Sequence, residues 1–269
     1  DGFSAPDTWV TPITQIIPHG SSVFAISSDA VYRFDQNGEG HIASDVIFSF
    51  ETFETNVIVR SAVISEDLLL IGTVSLGLLE IDLNSKRVRR IEEGPSEIDL
   101  PSNTITTIFA EDDGIWVGTQ NGLVFTVDGG RTFEHYNAFS SGLPSNWIVG
   151  FFKSSDGSYW AGTREGLAQG ARTQFDSYNR TNSNLSHDHV NAVCETTDGS
   201  IWVGTQDGLN RLRPGNESFE WYNSDKNEAF ESNQIMSLAA NEETLWIGTF
   251  STGLYSLDIR TGDIVKVPL

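Results

Sequence analysis

Short apolar runs separated by glycine-bearing turns dominate the chain, and the apolar positions do not recur at the interval of a helix anywhere along it. Residues 105–137 show the unit most clearly. Ile105 to Ala110 reads as a buried strand, and Asp113-Gly114 behind it as a tight hairpin turn whose two residues take positive φ. Ile115 to Gly118 is the second strand, Asn121-Gly122 the next turn, Leu123 to Val127 the third strand and Thr132 to Tyr136 the fourth. First turns recur at Asp156-Gly157 and Asp198-Gly199, and second turns at Glu165-Gly166 and Asp207-Gly208. Fourth strands recur at Phe175 to Tyr178 and Phe219 to Tyr222.

A short phrase marks the second strand of each unit: Leu70-Ile71-Gly72-Thr73, Trp116-Val117-Gly118-Thr119, Trp160-Ala161-Gly162-Thr163, Trp202-Val203-Gly204-Thr205 and Trp246-Ile247-Gly248-Thr249. Its glycines are 46, 44, 42 and 44 residues apart, and a degenerate copy, Phe24-Ala25-Ile26-Ser27, precedes them. Four antiparallel strands repeated at this period predict an all-β chain, a β-propeller of four-stranded blades. Six copies predict six blades, near 13–56, 57–103, 104–146, 147–188, 189–233 and 234–269, in one domain after an extension over 1–12. Seven blades follow instead if residues 1–12, or sequence beyond residue 269, supply further strands. Trp116, Trp160, Trp202 and Trp246 are expected to fill the space between blades. Gly118, Gly162, Gly204 and Gly248 are expected where neighbouring backbone comes close. The threonine suits a half-buried strand position.

Composition narrows the function. With 37 acidic against 16 basic residues the formal charge is −21, which argues against nucleic acid and against anionic lipid. The charge is spread along the chain, as on a solvated acidic surface. The single cysteine, Cys194, excludes an intrachain disulfide and sits in an apolar stretch as a small apolar residue. No apolar run is long enough to span a bilayer, so no membrane insertion is expected.

Leu100-Pro101-Ser102-Asn103-Thr104-Ile105 and Leu143-Pro144-Ser145-Asn146-Trp147-Ile148 lead into their blades, and Leu185-Ser186-His187-Asp188-His189-Val190 is the same element. Joined to Asp198 through Leu209, this phrase closely resembles the two-component regulator propeller repeat. The resemblance is clear over 100–260, fair over 57–99 and weak over 1–56, where Gly-Thr is lost. It implies a periplasmic or extracellular sensor module, itself non-catalytic, of a membrane-anchored regulator such as a histidine kinase, hybrid two-component protein or diguanylate cyclase. An oligosaccharide ligand is implied at family level only. Thr126 to Phe133 further resembles an Asp-box, a structural turn between the third and fourth strands of sialidase-like blades.

In a four-stranded meander the lead-in loops and the loops between second and third strands share one face, the mouth of a propeller's channel. Asn103, Asn146, Asp188 and Asn233 occupy one lead-in position, where a short amide or carboxylate caps backbone. The next position varies, as Thr104, Trp147, His189 and Gln234, and so does the residue after Gly-Thr, as Gln120, Arg164, Gln206 and Phe250. Trp147, His189, Gln234, Arg164, Gln120, Gln206 and Phe250 are therefore the candidate ligand contacts. The spacing of His187 and His189 would suit a metal pair, but no third His or Cys lies near in sequence, so no metal and no cofactor is expected. The alternatives to a small-molecule sensor are a propeller that binds a protein partner or self-associates, and a lyase using His189 with Asp188 or Glu165.

Overall fold

The computed structural model describes residues 12–36, 42–53, 56–96, 98–225 and 230–268. The expected extension over 1–12 lies, apart from residue 12, outside them. The fold is all-β, a propeller of six four-stranded antiparallel sheets, with one short 3-10 turn at Phe50–Thr52. Every sheet is a meander whose strands pair in chain order. The first sheet runs Ile13–His19, Ser22–Ser27, Ala30–Gln36 and Ile42–Ser49, and the second Val59–Ser65, Leu68–Thr73, Leu78–Asp82 and Val88–Ile91. The third is Ile105–Glu111, Gly114–Thr119, Gly122–Thr126 and Glu134–Tyr136. The fourth is Ile148–Lys153, Tyr159–Thr163, Gly166–Ala171 and Gln174–Tyr178, and the fifth Val190–Glu195, Ile201–Thr205, Gly208–Leu212 and Glu220–Tyr222. The sixth is Ile235–Ala240, Thr244–Thr249, Leu254–Asp258 and Ile264–Lys266.

The chain forms two compact units, residues 1–117 with 124–134, and residues 118–123 with 135–269. The first unit has its core around Leu69, Ile71, Leu79 and Ile81, with a second cluster around Leu70, Ile105, Val117 and Phe133. The second has one cluster around Trp160, Leu167, Val190 and Val203 and another around Trp202, Ile235, Leu245 and Tyr255.

Three junctions between successive sheets share one contact. A side chain added at the repeat glycine would strike the β-branched residue that opens the next sheet: Ile105 at Gly72, Val190 at Gly162 (2.9 Å) and Ile235 at Gly204 (2.6 Å). The tryptophans of the third, fourth and fifth sheets are buried, with Trp116, Trp160 and Trp202 at 0%, 3% and 0% exposure. Trp246 differs in exposure. It is 37% exposed, and a side chain at Gly248 would meet only Ser237 of its own sheet.

The repeat threonine does more than favour a strand. In the third, fourth and fifth sheets its hydroxyl donates to the carbonyl three residues on: Thr119 to Gly122 (2.8 Å), Thr163 to Gly166 (2.8 Å) and Thr205 to Gly208 (3.0 Å). The same oxygen accepts the N–H two residues on, from Asn121, Glu165 and Asp207. Each hydroxyl thus clasps the turn between second and third strands. Ser27, in the degenerate copy, still clasps Ala30 from both sides. The turns also correct the expectation of paired positive φ. Gly122 has φ 120°, whereas neither Asn121 nor Gly114 is positive. Gly114 instead lies in its strand against the Phe125 ring and the Thr126 carbonyl, where a side chain would not fit. Thr205→Val keeps the shape and removes the clasp. It is expected to cost about 1–2 kcal/mol, because the bonded groups lose a partner in a partly buried turn. An unchanged midpoint in urea would refute the clasp.

Candidate functional site

The lead-in residues Asn103, Asn146 and Asn233 each do two jobs. Their main-chain carbonyls accept the N–H of Gly77, Gly122 and Gly208, the glycines of the preceding sheet's clasped turn. Their Oδ1 atoms accept the N–H of Glu93 (2.9 Å), Ala138 (2.8 Å) and Ser224 (2.8 Å), just beyond that sheet's last strand. Asp188 uses Oδ1 in the same way on Arg180 (2.8 Å). These side chains are committed to backbone and leave the next residue to present itself.

That next residue is joined by main chain to the residue after Gly-Thr in its own sheet. Arg164 donates its N–H to the carbonyl of Trp147 (3.3 Å), Gln206 to His189 (3.2 Å) and Phe250 to Gln234 (3.0 Å). In the first unit Val74 donates to Ile58 in the same way (3.0 Å). The two variable positions of a sheet are therefore side by side, whatever side chains they carry. The structure brings the candidates of the second unit together as three pairs, Trp147–Arg164, His189–Gln206 and Gln234–Phe250. Their inner strands are consecutive neighbours, so the pairs follow one another along one edge. Gln120 holds the corresponding position in the third sheet and is half-buried. Arg164, Gln206 and Phe250 are exposed, and Trp147, His189 and Gln234 half-buried.

Two side-chain arrangements stand out. The Arg164 guanidinium lies over the Trp147 ring, 3.2 Å from its centroid. Among the described residues it makes no ion pair, unlike Arg89, Arg211 and Arg213, which hold Glu80, Asp198 and Glu220. His187 takes the place of the lead-in serine: its Nδ1 accepts the His189 N–H (2.9 Å), as Ser145 accepts that of Trp147 (3.3 Å). His187 thus spends a nitrogen on backbone. No group of three or more His, Cys, Asp or Glu among the described residues is placed to hold a metal. Partial burial, then the charges of Arg164 and His187, push the His189 pKa down, so its ring is neutral at pH 7. No carboxylate among the described residues pairs with it. Elsewhere, burial pushes the Cys194 thiol up to about 12, which leaves it unreactive as a nucleophile.

Two grooves of the second unit lie at the opposite edge. One, of about 360 Å³, runs between the fourth and fifth sheets beside Ser154, Trp160, Tyr178, Glu195 and Arg213. Glu195 holds Ser155, Arg213 holds Glu220 and the Tyr178 hydroxyl donates to Gln169, while the buried Trp160 indole N–H has no partner among the described residues. The Asp-box loop is likewise closed on itself. Asp128 accepts from the Thr132 N–H and hydroxyl, from the Thr126 hydroxyl and from the Arg131 N–H, which hold its carboxyl far below the usual range.

The clasps and the pairing between variable positions were missed in reading the chain. A hydroxyl at a fixed distance from a glycine turn was the available signal for the first. The second follows from the meander once both loops are placed on one edge.

The structure resembles several solved propellers. The extracellular domain of the hybrid two component system BT4673 of B. thetaiotaomicron aligns over 96% of this chain at 22% identity, with a TM-score of 0.75. That of BT3049 from the same organism aligns over 94% at 18% identity, with a TM-score of 0.71. The chain spans 33% and 34% of those two proteins. YCF48 from Cyanidioschyzon merolae aligns over 96% of this chain and 85% of its own length at 14% identity, with a TM-score of 0.67. No curated protein matches the chain in sequence. Residues 99–121 and 184–207 match the two component regulator propeller family. Both matches contain the lead-in phrase, and the second runs on through the Trp-Val-Gly-Thr phrase of the fifth sheet. Two of the chain's repeats thus match the two component regulator propeller family, and the remaining sheets share their meander.

Proposed function

We propose that this chain is an extracytoplasmic sensory module that binds a small molecule at the edge carrying Trp147, Arg164, His189, Gln206, Gln234 and Phe250. The output would be a membrane-anchored regulator of the histidine kinase or diguanylate cyclase kind. The observation that carries this reading is the division of labour along the lead-in loops. One position is engaged with backbone in four copies, at Asn103, Asn146, Asp188 and Asn233, while the positions beside it are variable, partly or wholly exposed and, in the second unit, paired through main chain. The repeat family, and the extracellular two component system domains among the structural neighbours, support placing the module outside the cytoplasm. No helix among the described residues is long and apolar enough to cross a membrane. Signalling then requires a ligand whose affinity differs between two arrangements of the receptor.

A thermal-shift screen of the chain against glycans, amino acids, short peptides and divalent metals tests the reading. A ligand present at a hundred times its Kd adds about 2.7 kcal/mol. For a chain of this size that is expected to raise Tm by about 5–10 °C. The shift should vanish in Trp147→Ala and His189→Ala while their unliganded Tm stays near that of the parent. A flat screen would favour a second reading, a protein-binding propeller. The open sixth-sheet face, with Met236 and Trp246 43% and 37% exposed, is the observation that supports that alternative.

A further inference from the structure

We propose that the ligand of this edge carries a carboxylate, received by the guanidinium of Arg164 while that group rests on the Trp147 ring. The inference depends on the binding edge proposed above and adds the chemistry of what binds there. Stacking occupies only the flat face of a guanidinium. Its five N–H donors lie in the plane and remain directed outward, in the fork that matches the two oxygens of a carboxylate. Arg164 is exposed, and its guanidinium has no ion pair or hydrogen bond to another described residue. In a chain of charge −21, five other arginines, Arg33, Arg89, Arg90, Arg211 and Arg213, hold carboxylates, and Arg164 does not.

The acids of the adjoining loops form no ion pair with it. Asp188 directs Oδ1 to the Arg180 N–H, Asp207 directs Oδ1 to Asn233 Nδ2 (3.1 Å), and Glu165 forms no pair with Arg164. The aromatic support holds the fork in one plane before a ligand arrives, so less side-chain entropy is lost on binding. His189, neutral at pH 7, adds a polar ring to this side of the edge without a second positive charge. One guanidinium offers one positive charge. In a strongly negative field a monoanion is repelled less than a dianion, so a carboxylate fits better than a phosphate or a disulfated group. A free organic acid and a sugar acid share this chemistry.

The test uses the 269-residue chain labelled with 15N, following the Trp147 indole N–H, which is assigned by its loss in Trp147→Phe. Glucuronate and benzoate are titrated to about 50 mM beside their uncharged counterparts, glucose and benzamide. Movement of the Trp147 signal is expected at roughly 10- to 100-fold lower concentration for at least one acid than for its counterpart, the range for a charged hydrogen-bonded pair. Arg164→Gln should remove that preference, and Arg164→Lys should keep only part of it. Glucuronate alone would identify a sugar acid, and benzoate alone or both acids a general carboxylate site. Signals that move equally for acids and neutral counterparts, or a preference that survives Arg164→Gln, would overturn the carboxylate while leaving the edge as a binding site. A Trp147 signal that no probe moves in the folded chain would overturn the carboxylate. If the wider ligand screen also gives no response dependent on Trp147, the binding edge itself fails.

Discussion

Trp202→Ala is expected to lower stability by about 3–5 kcal/mol, near the top of the large-to-small range for a buried aromatic. The ring is fully buried, with Tyr222 5.4 Å away and the Arg211 guanidinium 4.9 Å above it. Its indole N–H donates to the Thr196 hydroxyl (3.0 Å). Removing it opens a cavity beside a buried arginine whose ion pair with Asp198 and bond to Ser200 hold it in place, so the site cannot collapse cheaply. Calorimetry should show Tm lower by about 2–4 °C for each kcal/mol lost. The repeat supplies its own control. Trp246 holds the same position in the sixth sheet but is open on one face, and Trp246→Ala should cost less than about half as much. Equal losses would show that the difference in packing has no energetic weight.

The second large effect concerns the contact between a repeat glycine and the residue opening the next sheet. Ile235 is fully buried, and Ile235→Ala is expected to cost about 2–5 kcal/mol through lost burial and a residual cavity. Gly204→Ala should cost about 1–3 kcal/mol for the opposite reason, because its new methyl would sit 2.6 Å from Ile235 Cγ2. In the double variant the added methyl enters the space the truncation leaves. The pair should therefore lose clearly less than the two single costs added together, with a coupling of about 1 kcal/mol or more. Strict additivity in urea unfolding would mean that the two residues do not share the space.

These residues also show what the sequence could and could not convey. The Gly-Thr phrase and its period were enough to place six meanders, because each copy repeats the same local chemistry of strand and turn. Trp116, Trp160 and Trp202 are buried. Trp246 is not, since burial of a sheet face depends on what stacks against it and not on the residue in the sheet. Gly114 shows the same limit at short range: a glycine beside an aspartate reads as a turn, and only the approach of Phe125 reveals that it serves a close contact. Along the candidate edge, the variable positions could be picked out by comparing copies. That Arg164 would rest on Trp147 could not, because the two are 17 residues apart in the sequence and meet through a carbonyl and an N–H that no side chain announces.

The main-chain bond that joins each pair has a consequence for how such a surface can change. Because a main-chain N–H and C=O tie Arg164, Gln206 and Phe250 to Trp147, His189 and Gln234, that tie is indifferent to the identity of the six side chains. The edge works as a rack with interchangeable fittings. What the surface recognises can be rewritten one position at a time, while the asparagines, threonines and glycines behind it keep the frame unaltered.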